Sequence, residues 1–552
     1  MLGYNRPAMM QAGKRNSFET IGKWTCNLAS YLQGLLFEHP LAPWALFAAA
    51  LVLYLPFTWQ YTFLHDEGIF TYDMTRLLWQ QPVAAFFLLK VKPVLALLYL
   101  PTARLGFKAF LVVHAGLAAT TVLLVCLTAR DLGTRIPAAA GWMLMLSGGF
   151  FVAAVSGFAN LEGAFFLALF LWLYFSGRRK SGALVLGLLP FVRHELAVVW
   201  LFFLGWDLWR RRRQGISFVL LAAAFPSLYI VLGAWYHGDL LWLIHNFPSS
   251  SDIPVAISFN SPTAAGLREY WQRSLLCNFG VLGVLALLAV GIRQRVVLIL
   301  FVSALAIYAV MTLFQYQRIF GFNASLRYHV AVLPLVAILS AKGLENDHAL
   351  TWMIAALLAF AVGMFSGAGS WMFIAVAIFL PILMYLGKRW RMNTASLARI
   401  LVLVSGMGVL YLGMAYGEDF YRQHRQSHRL FHWLSEQGFY HGQPVYSDMQ
   451  IFRYDECSGI KNRYQLANEA IYWELSRFTN HGNGQYRDLV DALRKIGYAV
   501  DPSKHRINRQ AVYIVRRCQR FRRWIRLLEE HHPHRVVEGN HLIYYWDVKE
   551  AG

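Results

Sequence analysis

Long apolar runs separated by short polar segments fill residues 41 to 416, and a stretch apolar on every face suits lipid rather than a soluble core. A hydrocarbon layer takes about 20 apolar residues per helix, and on that measure the runs predict about 13 crossings. The first extends from about Leu41 to Tyr61, behind a polar segment, residues 1–40, that carries Lys14, Arg15 and Lys23. That segment lacks the basic start, apolar stretch and small-residue site of a cleavable signal, so the first helix is expected to be retained. Every second loop is then basic: Arg130 and Arg135, Arg178 to Lys180, Arg210 to Arg213, Arg293 and Arg295, Lys342, and Lys388 to Arg391. Placing those loops in the cytoplasm predicts a cytoplasmic N-terminus and outer segments at about 62–105, 157–162, 190–195, 237–274, 317–327 and 367–370. The arms between Ser181 and Trp209 are short and turn at Arg193-His194-Glu195. Half-depth helices meeting in a cavity fit that pattern, because a charged turn at membrane depth survives only against water or protein.

Past Met414 the pattern becomes polar and mixed, which predicts a separate extracytoplasmic α/β domain over residues 417–552. Its expected elements are a helix over Glu418 to Gln437, a strand over Pro444 to Asp448 and a helix over Tyr486 to Ile496. A strand over Val512 to Val515 follows, then a basic helix to about His531. A hairpin closes the chain, with Arg535 to Glu538 and His541 to Asp547 flanking Gly539-Asn540. Cys457 and Cys518 both fall on this oxidising side, and a disulfide or two separate thiols are equally compatible with their spacing.

Composition sharpens this picture. The chain is 57% hydrophobic and 15% charged over 552 residues, which excludes an ordinary soluble enzyme and a disordered chain. Five cysteines are too few for a disulfide scaffold. A formal charge of +21 suggests nucleic acid, but basic residues retained on cytoplasmic loops account for most of it. The run Arg516, Arg517, Arg520, Arg522, Arg523 and Arg526, interleaved with Phe521 and Trp524, reads as a solvated helix face or a surface for anionic headgroups. Nucleic acid is no partner outside the membrane.

Between Leu41 and Tyr416 there are only 12 acidic residues. Eight of them, Asp66, Glu67, Asp73, Glu162, Glu195, Asp239, Asp252 and Glu269, fall on the outer side of the assigned topology. The densest string is His65-Asp66-Glu67-Gly68, directly after the first span. A carboxylate held near apolar walls and a second acid has a raised pKa, which suits a base that takes a proton from a hydroxyl. An amphipathic stretch from Tyr72 to about Gln81 follows, fit to lie in the membrane plane, and then Lys92-Pro93, where a lone ammonium is a natural phosphate contact. Each residue also has a plain reading. Asp66 and Glu67 suit a loop tip or helix cap, Glu162 a helix start, Lys92 and Arg327 snorkelling to headgroups, and Arg193 with Glu195 a structural ion pair. His65, Asp66 and Glu162 are compatible with a divalent cation, although no spacing demands one. The outer loop 237–274 is long enough for a lid or for a simple connection.

The order of first span, acidic pair, interfacial helix, Lys-Pro, later outer acid and C-terminal domain resembles the GT-C superfamily of polyprenyl-phosphate-sugar-dependent glycosyltransferases, broadly the aminoarabinose transferases of lipid A and the protein mannosyltransferases. The resemblance covers the membrane half, residues 41–416, with the catalytic loop at 62–105. It implies Asp66 as the base that activates the acceptor, with Glu67 beside it and Glu162 as the second acid. Lys92, Arg193, Arg318 and Arg327 with Tyr328 would hold the donor phosphate, and His65, His194, Glu195 and His245 would line the cavity. Lys-Pro-Val stands where relatives often carry Lys-Pro-Pro, and His194 where several carry Pro. The implied reaction is inverting transfer of a sugar from a lipid carrier to a lipid, glycan or protein acceptor at the bacterial inner membrane, with no required cofactor. A transporter or lipid flippase, and a non-catalytic partner in envelope assembly, are the rival readings.

Overall fold

The computed structural model describes residues 39–60, 66–87, 92–245 and 326–345, scattered residues at 289–307 and 429–436, and most of 442–447, 463–466 and 506–546. Among these, three helices are long and apolar enough to cross a membrane: α1 (Ala42–Trp59), α5 (Phe107–Asp131) and α11 (Arg213–His237). Leu46, Ala50 and Tyr54 of α1 are buried while Trp44, Val52 and Trp59 are exposed, so its outer side is as apolar as its inner one. That is the surface a helix presents to lipid.

Between α1 and α5 lie α2 (Asp66–Gln80), α3 (Pro82–Phe86) and α4 (Pro93–Leu105). The expected amphipathic stretch at Tyr72 to Gln81 is thus the later part of a helix that already begins at Asp66, and the expected outer loop is largely helical. Behind α5, α6 (Pro137–Met145) and α7 (Gly148–Ser156) form an apolar pair bent by 64° at a short break, the shape of a broken span or a re-entrant loop. The break falls at Leu146-Ser147, ahead of Gly148-Gly149, where small residues supply no side-chain packing to hold the helix straight. Next come α8 (Asn160–Phe175), α9 (Arg179–Val192), a 3-10 turn (His194–Leu196) and α10 (Ala197–Arg211). Two helices of 14 and 15 residues meet at Arg193-His194-Glu195, where two short arms were expected. A short helix α12 (Trp242–His245) follows α11, and a 3-10 segment (Leu326–Val332) leads into α13 (Leu333–Gly343).

The described bundle has two chemically distinct ends. At one, the basic turns interlock: Lys342 pairs with Glu345 at 2.6 Å and donates to the Gly133 carbonyl at 3.3 Å, while the Arg135 backbone N–H donates to Glu345. At the same end Asp207, fully buried, accepts from Tyr174 Oη at 3.0 Å and from Arg179, with Arg211 at 3.8 Å. Arg212, at φ +45°, makes the tight turn from α10 into α11. Helices α7, α9 and the segment before α8 run to the opposite end, which carries residues 157–163, 193–196 and 326–332.

The C-terminal segment forms a five-stranded sheet of order β2-β1-β3-β5-β4, from β1 (Val445–Ser447), β2 (Arg463–Gln465), β3 (Val512–Arg516), β4 (His534–Glu538) and β5 (His541–Tyr545). β1 is parallel to β2 and β3, and β5 is antiparallel to β3 and β4. Strand alternation explains its two cores. Val512 and Ile514 join Val445, Ile543 and Leu434 on one face, while Tyr513 and Val515 join Tyr446, Tyr544 and Trp546 on the other. Helix α14 (Arg522–Glu529) buries Trp524 and Leu528 and exposes Arg522, Arg523 and Arg526. The expected helix at Tyr486 to Ile496 and both Cys457 and Cys518 lie outside the described residues.

Candidate functional site

Two glycines bring the opening of α2 to the bundle. Gly157, at φ +78°, ends α7 in the left-handed conformation that glycine adopts without strain. A Cβ there would stand 2.9 Å from the Gly68 Cα, and a Cβ on Gly68 would stand 3.1 Å from the Gly157 Cα. Backbone therefore rests on backbone, and Asp66 and Glu67, the first two residues of α2, are held beside the turn that leads into α8.

Glu162 lies in the first turn of α8 and is 1% exposed. Such a residue usually caps its own helix, but here it reaches across to two others. Tyr99 of α4 donates its hydroxyl to Glu162 Oε1, and His114 Nδ1 of α5 lies 2.8 Å from the same oxygen and 3.1 Å from the Tyr99 hydroxyl. His114 Nε2 lies 2.8 Å from the carbonyl of Ala153. That carbonyl is among the last four of α7, which have no partner within the helix. A carbonyl only accepts, so Nε2 carries a proton. The 2.8 Å between Nδ1 and Oε1 then requires one further proton between them, as two facing lone pairs would repel. Glu162 and His114 together thus carry no net charge, the form in which a buried acid and base cost least. Glu162 Oε2, and both amide atoms of the fully buried Asn160, meet no hydrogen-bond partner among the described residues.

The basic groups converge next to this acid. Arg193, 6% exposed, donates from Nε to Glu195 Oε1 at 2.7 Å. A Cβ on Gly163 would stand 2.9 Å from Arg193 Cγ, 3.3 Å from Ala331 Cβ and 3.5 Å from a Leu196 methyl. The lack of a side chain at 163 therefore lets the Arg193 stem and the 326–332 segment close onto the start of α8. His194 is half-buried, and Lys92, Arg193 and Glu195 all lie near enough for their charges to act on it. Lys92 itself sits at φ +52° before Pro93, a left-handed geometry costly for a residue with a Cβ and of the kind that clusters at functional sites.

The structure thus gathers Lys92, Glu162, Arg193, His194 and Glu195, together with the backbone of Asp66 and Glu67. Arg327 and Tyr328 belong to the 3-10 segment against α8, and His245 ends α12; the side chains of these three, like those of Asp66 and Glu67, lie outside the described set. So do His65, Arg318 and most of the 237–274 loop. Among the described residues no group of three metal-ligating side chains occurs. Tyr99, His114 and Asn160 were missed in the sequence. The available signal was a histidine seven residues into an apolar span, where an ionisable group is expensive without a task.

Among the described residues the architecture is a helical bundle with three helices long and apolar enough to cross a membrane, together with a five-stranded sheet. Among solved structures the chain is similar to the crystal structure of ArnT from Cupriavidus metallidurans bound to undecaprenyl phosphate, with 13% identity, a TM-score of 0.50, and coverage of 93% of this chain and 100% of that one. It is similar also to the apo state of ArnT from that organism, with 12% identity, a TM-score of 0.50, and coverage of 92% and 98%. No protein-family model and no curated protein sequence matches the chain. At such identity the likeness is one of fold, and it extends over nearly the whole length of both chains.

Proposed function

We propose that the protein is an integral membrane glycosyltransferase that moves a sugar from a polyprenyl-phosphate carrier to an extracytoplasmic acceptor: a cell-envelope glycolipid, a glycan or a protein. The observation that carries this reading is the end-to-end likeness in fold to a protein crystallised with undecaprenyl phosphate. The gathering of Lys92, Arg193 and Glu162 at the end of the bundle away from the basic turns supports it. With those turns in the cytoplasm, the site and the C-terminal α/β domain face the periplasm of a bacterial inner membrane.

In this reading Asp66 takes the proton from an acceptor hydroxyl as its oxygen attacks the anomeric carbon. The bond from that carbon to the phosphate oxygen breaks, and the electron pair leaves on the lipid phosphate. Attack opposite the leaving group inverts the anomeric carbon, and no sugar–enzyme bond forms. Charge grows on the phosphate as it departs, and Lys92, Arg193, Arg318 and Arg327 are the groups to stabilise it; fixed cations in a dry site need no reorganisation at that moment.

The test is release of polyprenyl phosphate when the purified full-length protein is incubated with polyprenyl-phosphate sugars and envelope glycolipid. Acceptor-dependent release is the expected result, and a protein that binds neither carrier nor acceptor would overturn the reading.

A further inference from the structure

Glu162 is held by more than its own helix requires. Oε1 receives the Tyr99 hydroxyl and shares a proton with His114 Nδ1, and His114 is itself anchored through Nε2 to Ala153 at 2.8 Å. Three elements, α4, α5 and α7, fix one carboxylate oxygen, while the other, also buried, has no partner among the described residues. A buried oxygen left open is costly unless a ligand or water fills it. The occupant is constrained by charge. The Glu162–His114 pair is neutral, and the stem of Arg193 crosses the adjacent Gly163, so a metal cation is disfavoured and a neutral hydrogen-bond donor is favoured. The open oxygen belongs to the residue next to Gly163, on which the stem of Arg193, the arginine assigned to the donor phosphate, packs. A sugar on a phosphate held by Arg193 would bring its hydroxyls towards this spot.

We infer that Tyr99 and His114 are positioning residues that present Glu162 Oε2 to a hydroxyl of the donor sugar, so that this oxygen reads the sugar and not its lipid carrier. The inference rests on the proposed function and deepens it. Glu162 then acts as a fixed acceptor, and Asp66 alone takes the acceptor proton. Asn160, whose buried amide is also open, is a second group able to meet the sugar.

The experiment measures binding of the detergent-solubilised full-length protein to bare undecaprenyl phosphate and to undecaprenyl phosphate carrying arabinose, glucose or mannose. The wild type is expected to bind at least one sugar-bearing lipid more tightly than the bare one. Tyr99→Phe and His114→Gln should erase that preference, about tenfold for the loss of one oriented hydrogen bond, with affinity for the bare carrier unchanged. His114→Asn, whose amide nitrogen can occupy the place of Nδ1, should restore most of it, whereas His114→Gln mimics only Nε2. A merely structural role would lower the melting temperature and weaken both lipids alike, which would overturn the inference. So would variants that keep the preference, or a wild type that binds all four lipids equally. A wild type that binds none of the four would overturn the proposed function, and the inference with it.

Discussion

Asp207 and Glu162 are both buried carboxylates that accept a hydrogen bond from a tyrosine on a neighbouring helix, and they sit at opposite ends of the bundle. Asp207 is complete: Tyr174 and Arg211 approach one oxygen and Arg179 holds the other. Glu162 has two donors on one oxygen and none on the second among the described residues. A saturated carboxylate ties helices together, while a half-saturated one can still accept a donor. In the proposed reading, what separates structural from functional charge is the number of unmet lone pairs, since burial is nearly the same at both.

The contrast can be broken by experiment, beginning with the largest effect. Asp66→Asn should reduce transfer by about 10³-fold, within the range a general base contributes, with the melting temperature unchanged. Assayed by polyprenyl phosphate release, near-normal turnover would remove Asp66 from its role. Asp207→Asn should act in the opposite sense, lowering stability by about 1–3 kcal/mol because Tyr174 and the part-buried Arg179 lose the buried carboxylate that ties them. Denaturant unfolding measures the loss, and turnover per folded molecule should stay within twofold. Gly157→Ala, which strains a left-handed turn and presses a Cβ onto Gly68, should cost about 1–2 kcal/mol of stability. It should also cost about tenfold in transfer by displacing Asp66, since small misplacements of a reacting group are expensive. A variant as unstable as expected but fully active would show that the glycine contact serves packing alone.

The smallest effect lies in the C-terminal sheet. Burial, and after it the carboxylate of Glu529, push the Tyr544 hydroxyl up to about 12 from its ordinary value of 10.0. Its neutral form is therefore favoured by folding, so this stabilisation is whole below pH 10 and is lost as pH rises towards 12. Thermal melts of the full chain should fall less steeply over that window in Tyr544→Phe than in wild type.

Much of this architecture is legible in the chain because lipid imposes strong rules. The first span, expected at Leu41 to Tyr61, is Ala42–Trp59, and the arms around Arg193-His194-Glu195 break where the charges interrupt the apolar run. The closing hairpin pairs Glu538 with His541 across Gly539-Asn540, as the turn residues indicate. Other features carry no local signal. β2 is a three-residue strand paired in parallel with β1, too short for any alternation to show. The partners of Glu162 were hidden for a related reason. Tyr99 and His114 are 63 and 48 residues away from it in the chain, and only helix packing brings them together. The acid, and the histidine within its apolar span, stand out in the sequence; their pairing does not.

The bend between Pro137–Met145 and Gly148–Ser156 has a reach well beyond its own helix. Because the second arm is tilted and stops at Gly157, Ala153 can offer its carbonyl to His114. Bulk added at Gly148 or Gly149, both buried and carrying no chemistry of their own, would disturb the bend and with it that anchor. The tolerance of the protein to drift is thereby set partly by two residues with no side chains at all, in surroundings where any apolar residue would seem acceptable.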